Sequence, residues 1–203
     1  MRSERAGSVA GIVLAAGAST RMGRNKLLLE LDGVSLLRHT VGRAAAAGLS
    51  PVLVVLGHQA ERALEELSGL DCRPVLNPEY ARGATSSVRA GFAALPSEAV
   101  AAVVLLADMP FVTAGMIATM VERYREAAAP LVFSDYGGVS APPTLFDRSL
   151  FDEVRAIDDR GCLKRTVKQH RSEALQVVWP ATALADLDEP ADYARIQAQL
   201  GAG

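Results

Sequence analysis

Cysteine is scarce in this chain. Only Cys72 and Cys162 occur in 203 residues, far apart and outside any Cys-x-x-Cys pair. That excludes a disulfide framework and a thiolate zinc site, and leaves both as small apolar residues. Histidine is as sparse: His39, His58 and His170 stand apart, without the His-x-x-x-His spacing of a metal cluster. No apolar run approaches the roughly 18 residues of a membrane span. Nor is there an excess of either charge: 21 basic and 23 acidic residues give a formal −2, so nothing global draws the chain to nucleic acid or an anionic membrane. Basic residues therefore need local reasons. Met1-Arg-Ser-Glu-Arg5 and the apolar stretch after it mimic a signal peptide, but Gly7, Ser8 and Gly11 break that stretch and Arg21, Arg24 and Lys26 follow at once. The expected compartment is the cytoplasm.

Half of the residues are hydrophobic, enough for one substantial core, and a single domain over residues 1–203 is expected. Strand-like runs at Val9 to Leu14, Pro51 to Leu56, Arg73 to Leu76 and Val100 to Leu106 alternate with helical segments. The first of these carries Leu36, Leu37 and Val41 on one face, with Ser35 as its N-cap and Gly48 as its stop. Gln59 to Leu67, Val88 toward Leu95 and Thr113 to Ala128 supply three more. This alternation predicts an α/β fold, a mainly parallel Rossmann-like sheet with helices on both faces in a three-layer α/β/α sandwich. Leu27 to Leu31 reads as a short extended element before an Asp32-Gly33 turn. Further on, Leu131 to Ser134 and Leu175 to Val178 read as strands, Leu145 to Ile157 as a packed segment, Cys162 to His170 and Ala191 to Leu200 as helices. Asp135-Tyr-Gly-Gly-Val-Ser-Ala-Pro-Pro143 reads as a shaped loop.

The chemistry concentrates in Gly11-Ile-Val-Leu-Ala-Ala-Gly-Ala-Ser-Thr-Arg-Met-Gly-Arg-Asn-Lys26. A buried strand runs directly into a glycine-punctuated basic loop. Gly17 and Gly23 let backbone amides approach an anion, Ser19 and Thr20 add hydroxyls, and Arg21 and Lys26 add positive charge. The spacing fits neither a Walker A loop nor a dinucleotide fingerprint: five residues separate Gly17 from Gly23, and Leu27 follows Lys26. Two later positions join the loop. Gly83 to Ser87 precedes a helix, where Ser86 or Ser87 could cap the helix and also border a ligand. Asp108 lies just past the most central strand, at the carboxyl edge where open α/β sheets bind ligands; by position alone it could equally cap the helix near Thr113.

The string Leu14-Ala-Ala-Gly-x-Ser-x-Arg-Met-Gly-x-x-Lys26 closely resembles the signature of the MobA-like nucleotidyltransferases, in particular the molybdenum cofactor cytidylyltransferase branch. The resemblance extends over nearly all of Gly11 to Leu200 and implies a nucleotide-diphospho-sugar transferase type of fold. It implies transfer of a nucleoside monophosphate from CTP to molybdopterin or a similar small phosphorylated acceptor, with Mg2+ and release of pyrophosphate. On this resemblance Arg21, Lys26 and Asp108 are catalytic. Leu14, Ala15, Ala16, Gly17, Ser19, Arg21, Gly23, Lys26, Gly83, Ser87 and Asp108 border the nucleotide. Asp108 in Asp-Met-Pro, and Asp188 in Asp186-Leu-Asp-Glu-Pro190, ligate the metal, although Asp188 could also be only an N-cap. Asp159 and Gly161 match a further family stretch. Ala141-Pro142-Pro143 departs from the family's Gly-x-Pro, often with histidine in the middle, which weakens assignment of the acceptor. Ala15-Ala16-Gly17 favours CTP over the GTP of the guanylyl branch, because the methyl of Ala16 narrows room for a purine.

Two other classes compete. An oxidoreductase on a related scaffold lacks support from any Gly-x-Gly-x-x-Gly, and a non-catalytic chaperone or binding partner that retains the fold would be expected to have lost Lys26, Asp108 or Asp188. All three are present. A molybdoenzyme client, nucleic acid aside, stays open as a partner of the enzyme.

Overall fold

The computed structural model describes residues 7–17, 25–127, 129–158, 161–184 and 192–193. It opens with β1 (Val9–Ala15), covered on both faces as its continuous apolar run requires. β2 (Glu30–Leu31) and β3 (Val34–Ser35) form a small ribbon around Asp32 and Gly33, both at positive φ, 53° and 74°, the backbone a two-residue hairpin needs. Ser35 caps α1 (Leu36–Ala46), its hydroxyl accepting from the Arg38 N–H at 3.3 Å. Then come β4 (Val52–Leu56), α2 (Ala60–Glu66), β5 (Arg73–Leu76), α3 (Ala84–Ala93), β6 (Ala101–Leu106) and α4 (Ala114–Glu126). The chain continues through β7 (Leu131–Tyr136), β8 (Val139–Asp147), α5 (Phe151–Arg155), α6 (Leu163–Gln169) and β9 (Leu175–Trp179).

Seven strands make one sheet in the order β5-β4-β1-β6-β8-β7-β9. β8 is antiparallel to both neighbours, and every other pair is parallel. Alternate residues of one strand feed two separate cores: Val9 and Val13 point to a cluster with Leu37 and Val41 of α1 and Ile117 and Met120 of α4, while Ala10 and Ile12 point to one with Val88 and Phe92 of α3 and Val154 of α5. Helices therefore lie on both faces, as the alternation of elements led one to expect. α3 comes especially close, since a Cβ on Gly91 would stand 2.5 Å from Ile12 Cγ2; only glycine permits that approach without displacement. No described helix is long and apolar enough to cross a membrane.

Three local expectations need correction. Residues 26–28 form a 3-10 turn, Lys26–Leu28, rather than extended chain, because the buried Asn25 side chain accepts the Leu27 N–H at 3.1 Å. The segment after Gly138 is a strand, not a loop: β8 enters the sheet between β6 and β7. Its prolines are tolerated because the pairing jumps from Phe133 with Thr144 to Ser134 with Ala141, leaving Pro142 and Pro143 in an irregularity that asks for no N–H. Finally, α3 starts at Ala84, earlier than the Val88 expected.

Candidate active site

Parallel strands deliver their following loops to one edge, and β1, β4, β5 and β6 all do so here. Beyond β1, the Ala16 carbonyl accepts from the His58 N–H at 3.3 Å, and the Leu14 carbonyl from the Ala107 N–H at 3.3 Å. The loops after β1, β4 and β6 are thus tied side by side. Gly57 makes the first junction: a Cβ there would lie 2.5 Å from Tyr80 Cβ and 2.9 Å from Ala16 Cβ. Ala16 is only 5 % exposed, its methyl set against Gly57 and Tyr80.

Lys26 and Asp108 meet at this edge. They come from distant parts of the chain, the 3-10 turn after the basic loop and the turn after β6, yet Lys26 Nζ stands 2.5 Å from Asp108 Oδ2. Both side chains keep a small opening to solvent, 14 % and 20 %. Asp108 does not cap α4, because Thr113 does, its hydroxyl accepting the Met116 N–H at 3.2 Å. A carboxylate at the sheet edge with a cation already against it is a place where positive charge is stabilised. Among the described residues no three His, Cys, Asp or Glu side chains cluster. The Asp108 carboxylate is the hard oxygen donor that a divalent cation takes together with substrate phosphates.

Gly83, at φ 112°, is the N-cap of α3, so neither Ser86 nor Ser87 caps it. Both serines instead sit buried in the first turn, held by Asn77 beyond β5: its Nδ2 donates to Ser86 Oγ at 2.9 Å and to Ser87 Oγ at 3.0 Å. Ser86 hands its own proton back to a carbonyl, Gly83 O at 2.8 Å or Glu79 O at 3.0 Å. Ser87 accepts from Asn77, and its proton finds no acceptor among the described residues, leaving a donor at the helix start. Asn77 was missed in the sequence; a lone Asn in a breaker-rich loop looks like any turn residue. One residue further back, Thr85 donates to the Gly161 carbonyl at 2.7 Å, so the loop that ends at Gly161 is fastened to the same turn.

Leu14, Ala15, Ala16, Gly17, Lys26, Gly83, Ser87 and Asp108 thus all lie at the carboxyl edge or in the loops leaving it. The expectations for Ser19, Arg21, Gly23, Asp159, Asp188 and the helix from Ala191 to Leu200 lie largely or wholly outside the described residues. Tyr193 is described: it packs with Phe111 against Leu29, Leu31 and Leu36, and its hydroxyl donates to the Glu30 carbonyl at 2.6 Å.

The model of the MobA-like NTP transferase domain matches residues 11–174. Among curated proteins, the bifunctional protein GlmU of Rubrobacter xylanophilus is 33% identical over 165 residues, which are 80% of this chain and 33% of that protein. The chain therefore spans about a third of that relative's length. Among solved structures, the homolog of Mycobacterium tuberculosis Rv0371c from Mycobacterium sp. strain JC1 superposes with a TM-score of 0.80 at 28% identity, covering 97% of each chain. Rv0371c of M. tuberculosis H37Rv in complex with manganese gives 0.75 at 25%, covering 94% of this chain and 98% of that one. On the span of the family match, and on a fold and sheet edge that agree with it, this chain belongs to the MobA-like NTP transferase domain family.

Proposed function

We propose that the protein moves CMP from CTP onto a small phosphorylated acceptor of the molybdopterin type and releases pyrophosphate. The observation that carries this reading is the convergence of Lys26 and Asp108 at the carboxyl edge of the sheet. An acceptor phosphate oxygen would attack the α-phosphorus of CTP; the bond to the β-phosphate oxygen breaks, and pyrophosphate leaves with the electron pair. No enzyme nucleophile is needed, so the protein's task is to align two anions and stabilise the leaving charge.

Lys26 would leave Asp108 for the β- and γ-phosphates, joined by Arg21 and by the backbone amides of the Gly17 to Gly23 loop. Ala15, Ala16 and Gly17 would border the base and sugar, with the Ser87 proton offered to the nucleotide from the far wall. Asp108, with Asp188, would hold a divalent ion; Tyr193, five residues beyond Asp188, is anchored on Leu29 and Phe111, close in sequence to Lys26 and Asp108. When bound, that ion neutralises the α-phosphate and orients it for in-line attack. A manganese complex of a family-like structure is consistent with a divalent ion.

Selection of CTP rests on the resemblance at Ala15-Ala16-Gly17, a stretch packed through the Ala16 methyl beside Gly57. Melting curves of the protein with Mg2+ and each of the four ribonucleoside triphosphates test the reading. CTP should raise the midpoint most, since a ligand of the native state stabilises by mass action. Equal shifts with all four would remove the base preference, and no shift with any would remove the nucleotidyltransferase reading.

A further inference from the structure

The turn that presents Asp108 is gripped from behind by α1. Thr40 Oγ1 lies 3.3 Å from the Ala107 carbonyl and 3.0 Å from the Leu36 carbonyl, and Arg43 Nη1 donates to the Pro110 carbonyl at 2.6 Å. The two held carbonyls flank Asp108, one just before it and one two residues after. From the geometry we infer that Arg43, assisted by Thr40, is a positioning residue for the Asp108 carboxylate, holding it in the orientation that receives the divalent ion. This rests on the metal role proposed above for Asp108.

Arg43 is an odd choice for a merely structural contact. Arg43 is half-buried, and that burial pushes its pKa down. It forms no ion pair with a carboxylate among the described residues; its partner is a neutral carbonyl. The contact that links it to Asp108 is made through the backbone, at the Pro110 carbonyl. Arg43 and Thr40 line a cavity of about 10 Å³ with Met109, Pro142 and Pro143, too small to take a phosphate group. A half-buried cation set behind a turn fixes that turn more firmly than a neutral donor would. Outer partners of metal ligands commonly matter about as much, with losses of about ten- to a hundredfold in metal affinity.

The test is Mn2+ binding, followed by the electron spin resonance signal of free Mn2+, with and without CTP, together with the melting midpoint of each variant. Arg43→Met should weaken Mn2+ binding in the presence of CTP by about tenfold or more while metal-free CTP binds as in the parent. Arg43→Lys, which keeps one donor to Pro110, should fall between, and Thr40→Val should shift Mn2+ binding in the same direction by less. Should Arg43→Met fail to fold, the lysine and valine variants carry the test. Unchanged Mn2+ affinity in the folded variants would overturn the inference, as would equal losses of Mn2+ and of metal-free CTP. If the parent protein bound neither Mn2+ nor CTP, the failure would be that of the proposed site, a result distinguishable from these.

Discussion

On one side of β6 the sheet is wholly parallel, and its loops bring Ala16, Gly57, Asn77 and Asp108 to one edge. On the other side β8 runs antiparallel, and the pair Pro142 and Pro143, which follows Ala141 and precedes its partner for Val104, stands beside the end of β6. The first half is built by repetition of strand, helix and loop, and its polar groups are joined by backbone bonds between adjacent loops. The second half is built by an irregularity, with Tyr136 donating to the Pro142 carbonyl at 2.9 Å and Ser134 to the Pro143 carbonyl at 2.8 Å. What the difference teaches is a division of labour. Under the proposed function, phosphate and metal contacts would need only the common edge geometry, while an acceptor would meet the irregular strand at Ala141-Pro142-Pro143.

Variants on the two sides should therefore separate. Lys26→Ala should lower the rate of pyrophosphate release about a hundredfold, the usual cost of one preorganised contact to developing charge, in a stopped-time assay of released pyrophosphate. Near-normal turnover would leave Lys26 as a structural partner of Asp108 and no more. Gly57→Ala forces a methyl into Tyr80 and Ala16, which overpacks by about 1–3 kcal/mol; calorimetry should show weaker CTP binding together with a lower melting midpoint. Ser87→Ala removes one donor worth about 1 kcal/mol, or roughly fivefold in CTP dissociation constant, measured by titration. Pro142→Ala should leave the CTP-induced melting shift as it is and raise KM for the acceptor only. If it moved the CTP shift instead, the two halves would not be separate in function.

The legibility of the molecule follows the same line. β1, β4 and β6 could be read because strands covered on both faces are continuous apolar runs, and Asp32-Gly33 because the hairpin demands positive φ. β8 could not, since two glycines and two prolines signal a loop unless the neighbouring strand shifts its register, which is a property of the sheet and not of the segment. Ser86 and Ser87 look like caps, but Gly83 supplies the backbone that starts α3 and Asn77 takes the serines for itself. Lys26 and Asp108 could each be singled out in the sequence as candidates, whereas their pairing, across more than eighty residues, is a fact of the fold. Arg43 and Thr40 were hidden for that reason too, their partners lying 67 residues away.

The central claim is that Asp108 faces a cation, Lys26 in the free protein and a metal when the triphosphate takes Lys26 away. It is tested most directly by the ratio of CTP affinity with Mg2+ to CTP affinity in chelator, measured by calorimetry for the parent protein and for Asp108→Asn. The expected result is a ratio well above one in the parent that collapses toward one in the variant, with its circular dichroism unchanged. A folded Asp108→Asn protein that kept the full gain from Mg2+ would contradict the claim.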